Sequence, residues 1–252
     1  MNTTPFIITG PARTGSTLLN VSLRQHPAVA MHGEVFGDGQ KLHVYGLDNR
    51  VAAPLEQVLL DWRDRDGASF LRDVLLRGDG HDAVGLKFKY EELSNPRWEA
   101  VRTAIAEDSN VHIVRLRREN LFKRFVSQHK AVSVTGVFNI QGNKSLPEDP
   151  DVRIDPKEAE ADFAQVRRWE ATFEEEFRNH PVLDLTYETI AADPLASLHR
   201  VQEFLGLGVE DLPVRNRRLS RRPMADSVVN HDELAAHFVD TEFASFFEDA
   251  DV

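Results

Sequence analysis

The sequence predicts an α/β fold in which a central, mostly parallel sheet is flanked by helices in three layers. Three observations predict it. Apolar runs of strand length alternate with stretches of helical periodicity, no internal repeat interrupts the alternation, and the first apolar run leads directly into a glycine-containing turn and a helix. At 252 residues the chain can bury a substantial core, and we read 1–252 as one domain.

Each element has its own signal. The apolar run at 6–9 is the first strand. Leu18, Leu19, Val21 and Leu23 then recur at helical spacing, giving a helix over 17–25 that closes at His26-Pro27. A short strand is expected at 29–32 and helices at 54–62 and 68–76. A strand follows at 83–89, then a helix over 96–106 opened by Pro96 and a strand at 111–116. Further helices are expected at 120–131 and, opened by Pro156, at 156–179. A strand at 182–185 precedes a last helix over 194–205, opened by Pro194 and ended by Gly206. Tyr187 and Phe204 are expected in the core. Residues 33–50 and 132–155 carry glycine, asparagine, proline and acidic residues without periodicity, and loops that long in a compact domain usually border a substrate.

Bulk properties exclude several classes. The net charge is −11, which repels nucleic acid, anionic membranes and polyanionic sugars. There is no cysteine, so disulfide scaffolds and thiolate metal sites are excluded. The histidines show no ligand spacing, and no metal is expected. Met1-Asn-Thr-Thr-Pro5 lacks a charged, apolar leader, and no segment is long enough to span a bilayer, so the expected compartment is the cytoplasm. Positive charge is bunched at Arg115-Leu-Arg-Arg118 with Lys123-Arg124, and at Arg215-Asn-Arg-Arg218 with Arg221-Arg222. Local basic clusters on an acidic chain suit a small, highly charged ligand.

The most specific segment is Phe6-Ile-Ile-Thr-Gly-Pro-Ala-Arg-Thr-Gly-Ser-Thr-Leu-Leu19. It combines a strand, a P-loop-like phosphate loop and a helix start. Gly10 and Gly15 have Walker A separation and Thr17 holds the hydroxyl position, but Ser16 stands where that motif requires lysine. Such a loop still cradles an anion through backbone N–H groups and the helix dipole. Arg13 adds a permanent cation.

The run Pro11-Ala-Arg-Thr-Gly-Ser-Thr-Leu18 resembles the 5′-phosphosulfate loop of sulfotransferases that use 3′-phosphoadenosine-5′-phosphosulfate (PAPS), in their Golgi-type and bacterial branches. The resemblance continues through Leu23-Arg-Gln-His-Pro-Ala-Val29 and His32-Gly-Glu34. It returns at Val111-His-Ile-Val-Arg-Leu-Arg-Arg118 with Ser127, and at Leu183-Asp-Leu-Thr-Tyr-Glu-Thr-Ile190 with Asp193-Pro194 and Phe204-Leu-Gly206. It implies that Arg13, Thr14, Gly15, Ser16, Thr17 and Leu18 bind the 5′-phosphosulfate, and that Arg118 and Ser127 bind the 3′-phosphate. The spacing at the latter pair runs a residue long, which keeps Arg117, and less so Arg115, as alternatives. It also implies Glu34 as the general base that deprotonates an acceptor hydroxyl, with His32 as a weaker rival.

Lys87 and Lys89 fall on one face of a strand by its period of two. Lysines on such a strand are tolerated where they reach the cleft at its C-terminal end. Lys87 is assigned, with Arg13, to stabilising the transferring group. The resemblance implies, as the expected activity, sulfuryl transfer to a small-molecule, carbohydrate or lipid hydroxyl, without nucleic acid or membrane partners. The sequence leaves the oligomeric state open. A metabolite kinase would require the missing lysine. A catalytically inactive nucleotide-binding module would not require Glu34 and Lys87.

Overall fold

Strand β1, Thr4–Thr9, buries Phe6, Ile7 and Ile8 almost completely, and it is the middle of the sheet because its residues can be covered on both faces. A computed structural model describes residues 3–37, 42–46, 53–140, 142, 145, 148–216, 219 and 222–248. These fall into two compact units. The first holds Met1–Arg117 and Ala171–Val214, and the second Arg118–Glu170 and Arg215–Val252.

In the first unit β1 is joined by β2 (Val29–Glu34), β3 (Ala83–Lys87), β4 (His112–Arg117) and β5 (Val182–Thr186) in the order β2-β3-β1-β4-β5. Every pairing is parallel. The chain fills one side of β1 and then crosses to the other at β4, so the turn after β1 stands at the point where strand order reverses, the usual ligand crevice of open α/β sheets. Phe6 and Ile8 pack against α1 (Ser16–Leu23), α8 (Tyr187–Ala192) and α9 (Pro194–Phe204) in one core, while Ile7 points to the opposite face. Helices α2 (Ala53–Arg65), α3 (Gly67–Phe70), α4 (Tyr90–Leu93) and α5 (Glu99–Ala106) complete the unit, and a π-helical turn, Leu71–Leu75, continues α3 and packs on β3. This is the sheet flanked by helices that the alternation predicted. Gly85 is required on β3 because a Cβ there would approach the Phe6 ring to 2.6 Å.

Several boundaries differ from expectation. The strand expected at 83–89 stops at Lys87, because Lys89 leaves the sheet to become the N-cap of α4. The strand expected at 29–32 runs on to Glu34. Tyr187 is only partly buried: it opens α8, and Gly15 lies against it, a Cβ on that glycine falling 3.7 Å from the ring. Gly206, with φ 72°, ends α9 as expected. Its N–H donates to Glu203 and that of Leu207 to Gln202, which satisfies the last carbonyls of the helix.

Part of the stretch expected as a loop at 33–50 is tied to β2. Gly33 donates its N–H to the His43 carbonyl at 2.7 Å, and Tyr45 donates its own to His32 Nδ1 at 2.9 Å. Residues 38–41 and 47–50 lie outside the described residues. Buried Arg63 donates to the Val35 carbonyl at 2.9 Å, fixing the chain just past Glu34.

The second unit is built on α6 (Leu121–His129), the first part of α7 (Pro156–Glu176), α10 (Met224–Ser227) and α11 (His231–Phe238). They share a core rich in phenylalanine, including Phe122, Phe163, Phe238 and Phe247. Within the loop expected at 132–155, a π-helical turn runs to Thr135, Lys130 pairs with Asp149 at 2.6 Å, and Val152 bridges Val228. Residues 141, 143–144 and 146–147 of that loop, and Arg217, Arg218 and Arg221 of the basic segment, lie outside the described residues. Arg222 donates to the Asp149 carbonyl and to Asp151, each at 2.9 Å.

Candidate active site

The turn after β1 is shaped by its glycines. Gly10 has φ 147°, and any Cβ there would collide with the Leu116 carbonyl of β4. Arg13 sits at φ 71° and Gly15 at φ 88°. A left-handed arginine costs about 1–2 kcal/mol, and surrounding bonds hold the turn against that cost. Ala12 donates its N–H to Glu91 Oε1 at 2.9 Å, Tyr90 donates to the Gly10 carbonyl at 3.1 Å, and Thr14 Oγ1 donates to the Pro11 carbonyl at 2.8 Å. Thr14 is fully buried, so its hydroxyl belongs to the turn.

Helix α1 begins at Ser16 directly from Gly15, with no side-chain cap and no acidic residue in its first turn. Its leading N–H groups and positive dipole end are the features that bind an anion elsewhere.

Parallel pairing brings the C-terminal ends of β2 and β3 beside this turn. Glu34 pairs in register with Lys87 after an irregularity in β2. Lys87, 6% exposed, places Nζ 2.6 Å from Glu34 Oε1 and donates to Thr17 Oγ1 at 3.1 Å. A buried lysine thus joins the carboxylate to the first turn of α1. Lys89 Nζ donates to the other oxygen, Glu34 Oε2, at 2.9 Å. Burial pushes the Glu34 carboxyl up, but the ammonium groups of Lys87 and Lys89 outweigh it and bring it down to about 2. Glu34 is therefore a carboxylate at any physiological pH.

The structure brings together Arg13 to Leu18, Glu34 and Lys87 as residues of one turn and two neighbouring strand ends. It also removes His32 as a rival base. That ring is buried with Nδ1 accepting the Tyr45 N–H, which leaves the Nε2 proton for the Leu75 carbonyl at 2.9 Å. Burial holds it down to about 4, so it is a neutral, fully bonded histidine.

Arg118 and Ser127 both lie in the second unit, half-buried, Ser127 on α6. The other two arginines considered for the 3′-phosphate make ion pairs with acidic side chains of the first unit. Arg115 makes a two-pronged contact with Asp184 at 2.6 and 2.8 Å, and Arg117 donates to Glu174 at 2.9 Å. Arg124 pairs with Asp162. Much of the basic cluster read from the sequence thus serves internal ion pairs. Sequence reasoning missed Glu91 and Glu92, which brace the turn and Lys89. The only trace of them is Lys89-Tyr-Glu-Glu92 directly after an apolar strand.

Among the described residues no group of three or more His, Asp or Glu side chains is placed to hold a metal ion. No helix among them is long and apolar enough to cross a membrane.

Known proteins share this architecture. The chain is 26% identical over 249 residues to Nodulation protein H of Rhizobium meliloti strain 1021, covering 97% of this chain and 95% of that relative. Among solved structures, the sulfotransferase domain of the Synechococcus PCC 7002 olefin synthase superposes with a TM-score of 0.50 at 16% identity, over 83% of this chain and 75% of that one. A sulfotransferase from Alicyclobacillus acidocaldarius matches with a TM-score of 0.49 at 18% identity, over 95% and 92% of the two chains. No protein-family model matches. The chain has the sulfotransferase fold, the fold of the class that its loop sequence resembles.

Proposed function

We propose that the chain is a PAPS-dependent sulfotransferase, one domain over 1–252, acting in the cytoplasm on a hydroxyl of a small-molecule, carbohydrate or lipid acceptor. The observation that carries this reading is Lys87, whose ammonium group spans Glu34 and Thr17 at the start of α1. In this reading Lys87 neutralises charge on the departing phosphate, and the carboxylate beside it takes a proton. The uncapped start of α1 suits the 5′ end of the donor, with Arg13 and the amides of Thr14 to Leu18 around it. Arg118 and Ser127 are assigned to the 3′-phosphate, since an arginine offers a phosphate paired donors.

When bound, PAPS supplies an activated sulfuryl group on a good leaving phosphate. The loop amides, Arg13 and Lys87 stabilise charge that develops on the phosphate side, and a loose transition state makes such positioning the main source of rate. Glu34 takes the acceptor proton as the new oxygen–sulfur bond forms. With two ammonium groups on it, Glu34 is a weak base. Lys87 is shared between Glu34 and Thr17, so if its ammonium group turned toward a donor phosphate held at the loop, Glu34 would bind a proton more readily.

The test is release of 3′,5′-diphosphoadenosine (PAP) from PAPS in the presence of a hexose, a long-chain alcohol or a phenol. Acceptor-dependent PAP release without added metal is the expected result. PAPS left intact under every acceptor, alongside phosphate transfer from ATP with magnesium, would contradict it.

A further inference from the structure

Glu92 lies on α4, 7% exposed, and a buried carboxyl in that place requires a partner. Its Oε2 accepts the backbone N–H of Lys89 at 2.9 Å. Its Oε1 stands 3.3 Å from Lys89 Nζ and has no hydrogen-bond partner among the described residues. The same Nζ donates to Glu34 Oε2 at 2.9 Å. Three side chains therefore form a line, Glu92 to Lys89 to Glu34. Gly37 leaves room for it, since a Cβ there would come within 3.3 Å of Glu92 Oε1.

The two lysines on Glu34 are thus unequal. Lys87 has its other contact on the phosphate loop, whereas Lys89 is backed by a second carboxylate and held on both sides.

We propose that Glu92 is a positioning residue for Glu34: while ionised it anchors Lys89, and Lys89 in turn fixes the orientation of the Glu34 carboxylate toward Lys87 and the loop. Its consequence for turnover rests on the reading of Glu34 as the base. The charged groups facing Glu92 are Lys89 at its own helix start, Glu34 from the end of β2 and Lys87 from the end of β3, while adjacent Glu91 takes the Ala12 N–H on Oε1 and adds its charge to the carboxylates acting on Lys89. Burial pushes Glu92 up to about 7, with Lys89 opposing and Glu34 adding to the rise. The anchored state accordingly gains population as pH rises through about 7 and is lost below it.

The test is a carboxyl carbon NMR titration of glutamate-labelled protein, with the Glu34 signal assigned by its loss in Glu34→Gln. In the wild type the Glu34 signal should show a step with a midpoint near 7, far above its own protonation near 2. Lys89→Met removes the ammonium group that opposes the rise of Glu92, so the Glu34 signal is followed through the moved Glu92 titration, read from the Glu92 signal itself, and it should show no step there, because the link runs through the ammonium group. A wild-type Glu34 signal flat between pH 5 and 9 would overturn the proposal, and so would a step that survives Lys89→Met, since a direct field between the two carboxylates would then explain it. The titration needs neither donor nor acceptor. Full PAP release by Glu34→Gln would sink the base assignment and leave the Glu92 result standing.

Discussion

Replacing Glu34 with glutamine is expected to lower turnover by about 10²–10⁴-fold, the usual contribution of a positioned general base, while PAP affinity stays near the wild-type value. The amide keeps the shape but cannot take the acceptor proton. It also strands the ammonium group of Lys87, which is buried and faces Glu34 at 2.6 Å, and loss of one member of such a pair is destabilising. Melting temperature must therefore be read beside turnover. The sign of its pH dependence follows from the carboxyl. Glu34 binds its proton less tightly folded than unfolded, so it adds stability above about pH 4.5, and that stability fades as pH falls toward about 2. Glu34→Gln should flatten this acid limb. A variant that melts normally and turns over at the wild-type rate would move the base to another group, and His32, with both ring nitrogens bonded, is no candidate.

Lys87→Met is the second large effect. Methionine keeps the buried stem and removes the cation between Glu34 and Thr17. Loss of one preorganised group of this kind costs about 10²–10³-fold in kcat, and here KM for PAPS should rise as well, because the same ammonium group faces the loop. The Glu34 carboxyl, released from one of the two ammonium groups that hold it near 2, should then titrate closer to the ordinary carboxylate range. The joint result separates catalysis from packing. Lost stability alone would lower the amount of folded enzyme without changing kcat per folded molecule or KM for PAPS. Wild-type kcat in Lys87→Met would remove the lysine from the mechanism.

The sequence revealed the parts of this site that depend on local pattern. The turn after β1 was legible because two glycines, a proline and a run of hydroxyl residues sit between an apolar strand and a periodic helix, and the structure adds the reason for Gly10 in its contact with the Leu116 carbonyl. Glu34 and Lys87 were legible as residues but their pairing was not, since it depends on β2 lying next to β3, a non-local choice. Lys89 was misplaced on the strand because the short helix α4 has too few residues to show a period. For the same reason Glu91 and Glu92 passed unread. Helices α10 and α11 also went unassigned, their apolar residues being few and spent on a phenylalanine-rich core assembled from distant segments. The basic run at Arg115 to Arg118 looked like one ligand patch, yet Asp184 and Glu174, far along the chain, take two of its arginines.

The most direct test of the central claim is calorimetric titration with PAP beside ADP and beside ATP with magnesium. The account predicts tight binding of PAP and weak binding of ADP and ATP, because the 3′-phosphate is the group that Arg118 and Ser127 are assigned to hold, and Arg118→Ala titrated alongside should reduce PAP to the level of ADP. Preference for ATP with magnesium would contradict the account and make the chain a kinase of the same fold. Binding of none of the three would make it an inactive module.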